Sequence, residues 1–282
     1  MKVYRGNPAA ARHYVEADHA RVDDYYLAEG TGLAERFTAS PDRGVEHLGS
    51  LDGDGYEAWV AGLDPATGEP RGRLRRDPQA VRFVEVVVNG PKSWSLAAAL
   101  DPEIAAAYDA AMDRAASQVI GWLAEHATTR VGPRGRQVQV PVERLEAVTV
   151  RHYTSRAGDP HRHLHLQINA RVFAEGKWRG LHTVGVRDSL DAINGIGHAA
   201  VMCDPEFRTA LADRGYTLDN DTGEIDDLSR FAGSFSARAR QIARTSTTTR
   251  PPGARTTPGR SPDPSSFGSG IGEPGPRHAP TR

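Results

Sequence analysis

The chain has 282 residues, 38% of them hydrophobic, with 35 Lys and Arg against 36 Asp and Glu and a net charge of −1. That suits one sizeable domain with an appendage; no run approaches the roughly 18 apolar residues of a membrane span, and the opening Met1-Lys2-Val3-Tyr4-Arg5 is not a signal peptide. A single cysteine, Cys203, excludes an internal disulfide and a multi-cysteine metal site, so the plain reading is a cytoplasmic protein without membrane insertion.

Asn7-Pro8 predicts a first helix, an N-cap residue followed by proline at the first helical position, running to about Leu27. On it Tyr14 and Tyr25 are eleven residues apart, three turns with about 20° of drift, and share a face with Asp18 and Arg21. Val15, Val22 and Tyr26 make a separate stripe suited to the core. Residues 38–79 read as turn-rich, with Leu48, Leu51, Tyr56, Trp59 and Val60 anchoring short strands or turns.

The β-branched run Val81 to Val88 predicts a strand. Within it Glu85 is the lone acid, where burial would raise its pKa. Asn89-Gly90-Pro91 ends the strand and opens a helix; Asp101-Pro102 caps a longer one to about His126. Gly132-Pro133-Arg134-Gly135 joins two short β segments, and strands follow at Leu145–Tyr153 and His163–Val172. Helices are expected around Ser189–Met202 and from Pro205 to Asp213. This order predicts an α+β domain, a largely antiparallel central sheet with helices packed on it.

Composition changes near residue 240. Residues 241–282 hold six Arg against two acids, a net +4, leaving −5 on the rest. With Phe267 and Ile271 its only large apolar residues from Thr245 onward, this Thr/Pro/Gly/Arg-rich tail is expected to be disordered, and residues 1–240 to be the folded domain. Any nucleic-acid site in that body must use local basic patches rather than bulk charge.

The strongest chemical signal is alternation. In His161-Arg162-His163-Leu164-His165-Leu166-Gln167-Ile168-Asn169 the apolar residues point to one face and the three histidines to the other. Residues i and i+2 on a strand lie roughly 6.5–7 Å apart, close enough for both rings to reach one ion. A lone histidine on such a face is ordinarily just solvated. Three in alternation, beside His152 at the end of another strand, point to a shared divalent cation such as Zn or Mn. A phenol, with a pKa near 10, needs help to act as a nucleophile, and Glu85 is the acid placed to give it.

The chain resembles the N-terminal domain of MobF-type conjugative relaxases, the TraI/TrwC group of histidine-motif (HUH) endonucleases. The likeness rests on Asp23-Asp24-Tyr25-Tyr26, on Glu85 to Leu96 with Pro91-Lys92-Ser93, on Arg151-His152-Tyr153-Thr154-Ser155-Arg156, and on Asp159-Pro160-His161-Arg162-His163-Leu164-His165. A histidine eleven residues before a His-x-His pair is the specific part. The resemblance implies metal ligands at His152, His163 and His165, with His161 a spare or a DNA contact. It implies tyrosine pairs at His13-Tyr14 and Tyr25-Tyr26; the attacking tyrosine is Tyr25 or Tyr14, Tyr25 being preferred, while Tyr26 lies on the stripe suited to the core and is the packing candidate. Glu85 stands where the family usually has an assisting aspartate.

That resemblance implies site- and strand-specific nicking and rejoining of DNA at a plasmid transfer origin, through a 5′-phosphotyrosine, with Mg, Mn or Zn as the ion. The implied partners are single-stranded origin DNA and accessory relaxosome and coupling proteins. Candidate phosphate contacts are Arg71, Arg73, Arg75 and Arg76 on one loop, Arg130, Arg134 and Arg136 around a hairpin, and Lys92 and Ser93 at a helix start. Trp94 or Trp178 could stack on bases, though core packing is the plainer role. Family members continue into a helicase, and no Gly-Lys-Ser/Thr phosphate loop is present here, so a truncated form without ATPase activity is expected. Two other readings stay open: a metal-dependent nuclease using activated water, and a non-catalytic single-stranded DNA-binding remnant.

Overall fold

A computed structural model describes residues 1–19, 32–74, 77–155 and 157–236 of the chain. It opens with a short strand, β1 (Lys2–Tyr4), and a helix, α1 (Pro8–His19). Asn7 starts that helix, its Oδ1 accepting from the Ala9 amide at 2.9 Å. Ala11 and Val15 are its buried residues, as the Val15 stripe predicted. The rest of the expected helix, including Tyr25 and Tyr26, lies outside the described residues.

Residues 38–79 are more ordered than a turn-rich reading allows. β2 (Ala34–Ser40) and β3 (Gly44–Leu51) form a hairpin, and α2 (Gly53–Ala61) follows. Asp52 caps α2 through the Gly55 amide, and Gly62 ends it in the left-handed conformation at φ 85. Tyr56, Trp59 and Val60, spaced i, i+3 and i+4, are its buried face. The Gly53-Asp54-Gly55 sequence that suggests a turn is the first turn of this helix.

β4 (Phe83–Val88) is the expected apolar strand, α3 (Lys92–Leu100) the helix after Pro91, and α4 (Pro102–His126) the long helix. Asp101 accepts from the amides of Glu103 and Ile104, which is why α4 begins where it does. Its buried stripe includes Ile104, Tyr108, Ala111, Ala115 and Val119. β5 (Thr128–Val131) and β6 (Val138–Pro141) make a two-stranded ribbon. β7 (Leu145–Thr154) and β8 (Pro160–Asn169) are the long central strands. The histidine strand starts earlier than expected and stops at Asn169, because the chain bends at Ala170 into a second ribbon, β9 (Arg171–Ala174) with β10 (Lys177–Gly180). α5 (Thr183–Asp188), α6 (Leu190–Met202), α7 (Pro205–Asp213) and α8 (Asp226–Ser229) follow.

The main sheet has the order β1-β4-β8-β7-β2-β3, with every neighbouring pair antiparallel. Both faces carry helices. On one, Val84, Val86, Leu164, Leu166 and Ile168 pack against α3, α4 and α6. On the other, Phe83, Val148 and Val150 pack against Ala11 and Val15 of α1 and Tyr56, Trp59 and Val60 of α2. Burying each such large apolar side chain contributes about 1.5–3 kcal/mol, which fixes both layers on the sheet. Among the described residues the second layer covers only part of its face. Gln167 and Asn169 lie beneath it at 3% and 2% exposure, whereas His161, His163 and His165 emerge half-buried at the other end of β8. No helix among the described residues is long and apolar enough to cross a membrane.

Candidate metal centre and nucleic-acid interface

The site is made by the register of β7 on β8. His152 lies directly across from His163, and Val150 across from His165. All the imidazoles therefore leave the sheet on the face of α1 and α2, past the edge of that layer. Ring centres of His152 and His163 are 5.2 Å apart, His152 and His165 4.7 Å, and His163 and His165 5.0 Å. His161 stacks outside this trio, 4.6 Å from His163.

These spacings bear on whether a divalent cation fits. An ion holding two imidazole nitrogens at about 2.1 Å sets their ring centres roughly 4.5–5.3 Å apart. The trio falls in that range. Among the described residues no three His, Cys, Asp or Glu side chains already surround a common point, so the rings would have to turn to share an ion. The donors are otherwise prepared. The Nδ1 of His163 lies 2.7 Å from the His161 carbonyl oxygen, which leaves Nε2 as its ligating nitrogen. Burial pushes His163 down to about 3, the neighbouring rings adding to that against the pull of the His161 carbonyl, so it is a neutral imidazole at physiological pH.

Glu85, on β4, faces the same way. One of its carboxylate oxygens is 3.3 Å from His165 Nδ1 and the other accepts from Gln167 Nε2 at 3.1 Å. Its burial would raise the pKa, as the sequence suggested. The hydrogen bond and charge of His165, with Lys2 and Gln167, outweigh burial and hold Glu85 below the ordinary glutamate value. The direction expected from sequence is thus reversed. A carboxylate alone in an apolar strand is easily seen; the donors from β8 and the charge from β1 that face it are not.

Lys2 sits across from Glu85 in the β1–β4 pairing, and its Nζ lies 5.6 Å from the centre of the Tyr14 ring. Tyr14, on α1, is 40% exposed. Lys2 therefore lies near the described tyrosine of the opening helix and acts by its charge on the carboxylate that contacts His165.

The basic candidates divide. Lys92 stands at the site: its Nζ donates to the Pro160 carbonyl, and its charge joins burial in lowering the pKa of His161. Burial also lowers Lys92 itself, with Asp159 opposing. Ser93 does not face a phosphate. It is fully buried, donating to Glu224 and accepting from the Ile225 amide at 3.0 Å. Arg71 is likewise engaged inside the fold, paired with Glu146 at 2.6 Å and Asp64 at 2.9 Å and lying 4.5 Å from the Trp178 ring. Arg73 is exposed; Arg75 and Arg76 lie outside the described residues. Arg130, bonded to His182 at 2.8 Å, is on β5, and Arg134 and Arg136 are exposed in the β5–β6 turn. That ribbon joins the main sheet's far end, where Thr129 pairs with Leu181 and the Leu181 amide donates to Ala170. His163 and Asn169 are six positions apart on β8, a run of roughly 20 Å. Arg130, Arg134 and Arg136 therefore form a patch apart from the histidines. Trp94 is fully buried against Tyr108 and Phe207 and cannot stack on a base as placed.

Sequence reasoning overlooked three residues beside the histidines: Lys2, Tyr56 and Gln167. Only Gln167 carried a signal, as a polar member of the alternating face.

The TrwC relaxase family model matches residues 8–266. Among solved structures, a metal-bound complex of the conjugative relaxase TrwC with oriT DNA is similar at a TM-score of 0.66 and 24% identity, covering 88% of this chain and 82% of that one. A copper-bound complex gives 0.65 and 24%, with the same coverage. TrwC bound to a 27-mer DNA comprising the recognition hairpin and the cleavage site gives 0.63 and 22%, covering 88% and 81%. At these identities the likeness establishes a common fold. No curated protein matches the chain.

Proposed function

The chain belongs to the TrwC relaxase family, and from that premise we propose that it nicks and rejoins one DNA strand at a plasmid transfer origin by transesterification onto a tyrosine. The observation that carries this reading is the trio of imidazoles from two paired strands, with ring centres no more than 5.2 Å apart, beside a buried carboxylate. The similar TrwC structures hold oriT DNA, and two of them hold metal, which supports a nucleic acid and a cation as this chain's partners too.

His152, His163 and His165 would hold a divalent ion, Mg, Mn or Zn, whose positive charge offsets charge developing on the scissile phosphate. The phenol oxygen of a tyrosine in the opening segment forms a bond to phosphorus as the bond to the 3′-oxygen breaks. Glu85 takes or orients the phenol proton, and the departing 3′-oxygen is protonated in turn. One phosphodiester replaces another, so the strand can be rejoined without ATP. Tyr25, with Tyr26 its neighbour in the pair, is the first candidate from sequence and Tyr14 the second. Tyr14 gains support from Lys2, which lies near it and acts by its charge on Glu85. Lys92 and His161 would hold phosphate next to the cleaved bond, with Arg73, Arg75 and Arg76 further along the strand. Arg130, Arg134 and Arg136, roughly 20 Å away, suit a separate stretch of the same DNA. Residues 1–240 are taken as the catalytic domain and 241–282 as an appended tail. A protein acting on plasmid DNA would work in the cytoplasm, with accessory relaxosome and coupling proteins as further proposed partners.

The test is incubation with single-stranded origin DNA and Mn or Mg, followed by a denaturing gel. A DNA-linked protein band is expected, and its loss in Tyr25→Phe or in Tyr14→Phe names the nucleophile. Cleavage without a linked band, surviving both substitutions, would mean activated water instead. DNA retention with no cleavage would leave a binding remnant.

A further inference from the structure

We propose that Gln167 and Tyr56 are positioning residues for the histidine centre, acting through Glu85 to fix which nitrogen of His165 faces the open end of the sheet. This rests on the proposed role of the histidines in holding a cation. Three buried hydrogen-bonding groups run in line behind His165. The Tyr56 hydroxyl, on α2, donates to Gln167 Oε1 at 2.8 Å. Gln167 Nε2 donates to one oxygen of Glu85 at 3.1 Å, and the other oxygen lies 3.3 Å from His165 Nδ1. Tyr56, Gln167 and Glu85 are 0%, 3% and 7% exposed, so protein groups rather than water must satisfy them.

The direction of every bond in this chain is determined by chemistry. An ionised carboxylate only accepts, so the amide must turn its NH2 group toward Glu85 and its oxygen toward Tyr56. The Tyr56 hydroxyl, meeting an amide oxygen, must donate. The second oxygen of Glu85 then requires a donor, and His165 Nδ1–H is the group in reach. With the proton on Nδ1, the lone pair of a neutral His165 ring lies on Nε2. His163 reaches the same tautomer by a different route, its Nδ1–H meeting the His161 carbonyl. Two of the three rings are thereby held with Nε2 as the ligating atom.

Gln167 is what keeps Glu85 in this role. The two residues are cross-strand partners on β4 and β8, so the amide approaches from a fixed direction. Without it one carboxylate oxygen would be buried with no donor from β8. Glu85 would swing toward Lys2 or solvent, and His165 would be free to turn over.

The experiment uses the full-length protein and Co2+ as the probe ion, with binding followed by the visible absorption of the bound ion. Gln167→Met keeps side-chain length and removes both hydrogen-bonding groups; Tyr56→Phe removes one hydroxyl. His163→Ala serves as the control for loss of the centre, and melting without metal checks folding. Gln167→Met is expected to weaken Co2+ binding tenfold or more and to change the absorption band, with melting shifted by a few degrees only. Tyr56→Phe should weaken it severalfold, and decides the matter alone if Gln167→Met does not fold. Wild-type affinity and an unchanged band in both relay variants, with binding lost in His163→Ala, would overturn the positioning role alone. Absence of Co2+ binding by the wild-type protein would overturn the cation reading and this inference with it.

Discussion

Asp109→Ala tests how the histidine strand is anchored from behind. Arg162 lies between His161 and His163 but points to the opposite face, where it is 9% exposed and its Nη1 donates to Asp109 of α4 at 2.6 Å. Arg151 of β7 also pairs with Asp109, at 3.0 Å, while keeping a 2.6 Å bond to Asp113. Removing the Asp109 carboxylate therefore costs Arg151 little. Among the described residues it leaves the Arg162 guanidinium with the Tyr153 ring, 4.6 Å away, as its remaining side-chain partner. A hydrogen bond between charged groups is worth about 1.5–3 kcal/mol. An unpaired buried guanidinium adds to the loss, and the 23% exposure of Asp109 reduces it. We expect a net destabilisation of about 2–3 kcal/mol, which for a domain of this size lowers the melting temperature by roughly 4–12 °C. Asp109→Asn, which keeps an acceptor, should lose about half as much. Thermal melting of Asp109→Ala, Arg162→Met and the double variant gives the coupling, expected at about 1–2 kcal/mol. Melting within 1 °C of wild type for Asp109→Ala, or strictly additive effects, would refute the anchoring argument.

Glu146→Gln should be destabilising by about 2–4 kcal/mol in urea unfolding, because Glu146 is 3% exposed and answers both Arg36, at 3.2 Å, and Arg71, at 2.6 Å; Asp64 remains as a partial substitute, and an unchanged midpoint would contradict this. Asp204 caps α7 and takes a two-pronged bond from Arg114 at 2.7 and 2.9 Å. Burial would raise its pKa, but Arg114 and the Phe207 and Glu206 amides hold it below the ordinary aspartate value. Its stabilisation is thus full above the unfolded value near 3.8 and is lost as pH falls through the folded one. Asp204→Asn should melt below wild type at pH 7, by an amount worth about 1–2 kcal/mol, and the gap should close toward pH 3. A gap that is constant with pH would exclude the ion pair as its source.

What could be seen in the sequence was whatever local spacing encodes. Asp101-Pro102 predicts α4 because a capping carboxylate and a proline at N1 act within four residues. The alternation from His161 to Asn169 predicts both faces of β8 because side-chain direction on a strand depends on parity alone. α2 was hidden because its opening Gly-Asp-Gly carries turn propensity, which the burial of Tyr56 and Trp59 overrides. The donors around Glu85 were beyond reach for another reason. Lys2 and Gln167 face it only through β-pairing, and Tyr56 reaches it only through Gln167, 111 residues away, by helix packing. For the same reason Ser93 and Arg71 read as free phosphate contacts until their partners Glu224 and Glu146 came into view.

The interleaving of imidazoles with leucines on β8 makes the strand intolerant of slippage. A shift of one position against β7 would turn His161, His163 and His165 into the layer under α4 and move Leu164, Leu166 and Ile168 to the face of α1 and α2. Insertions and deletions should therefore segregate sharply. The turn between Thr154 and Pro160, already preceded by a register irregularity around Tyr153, can change length without disturbing the pairing beyond it. Any odd-numbered change between His152 and Leu145, or between His161 and Asn169, inverts the facing of the part of the strand that lies on one side of it.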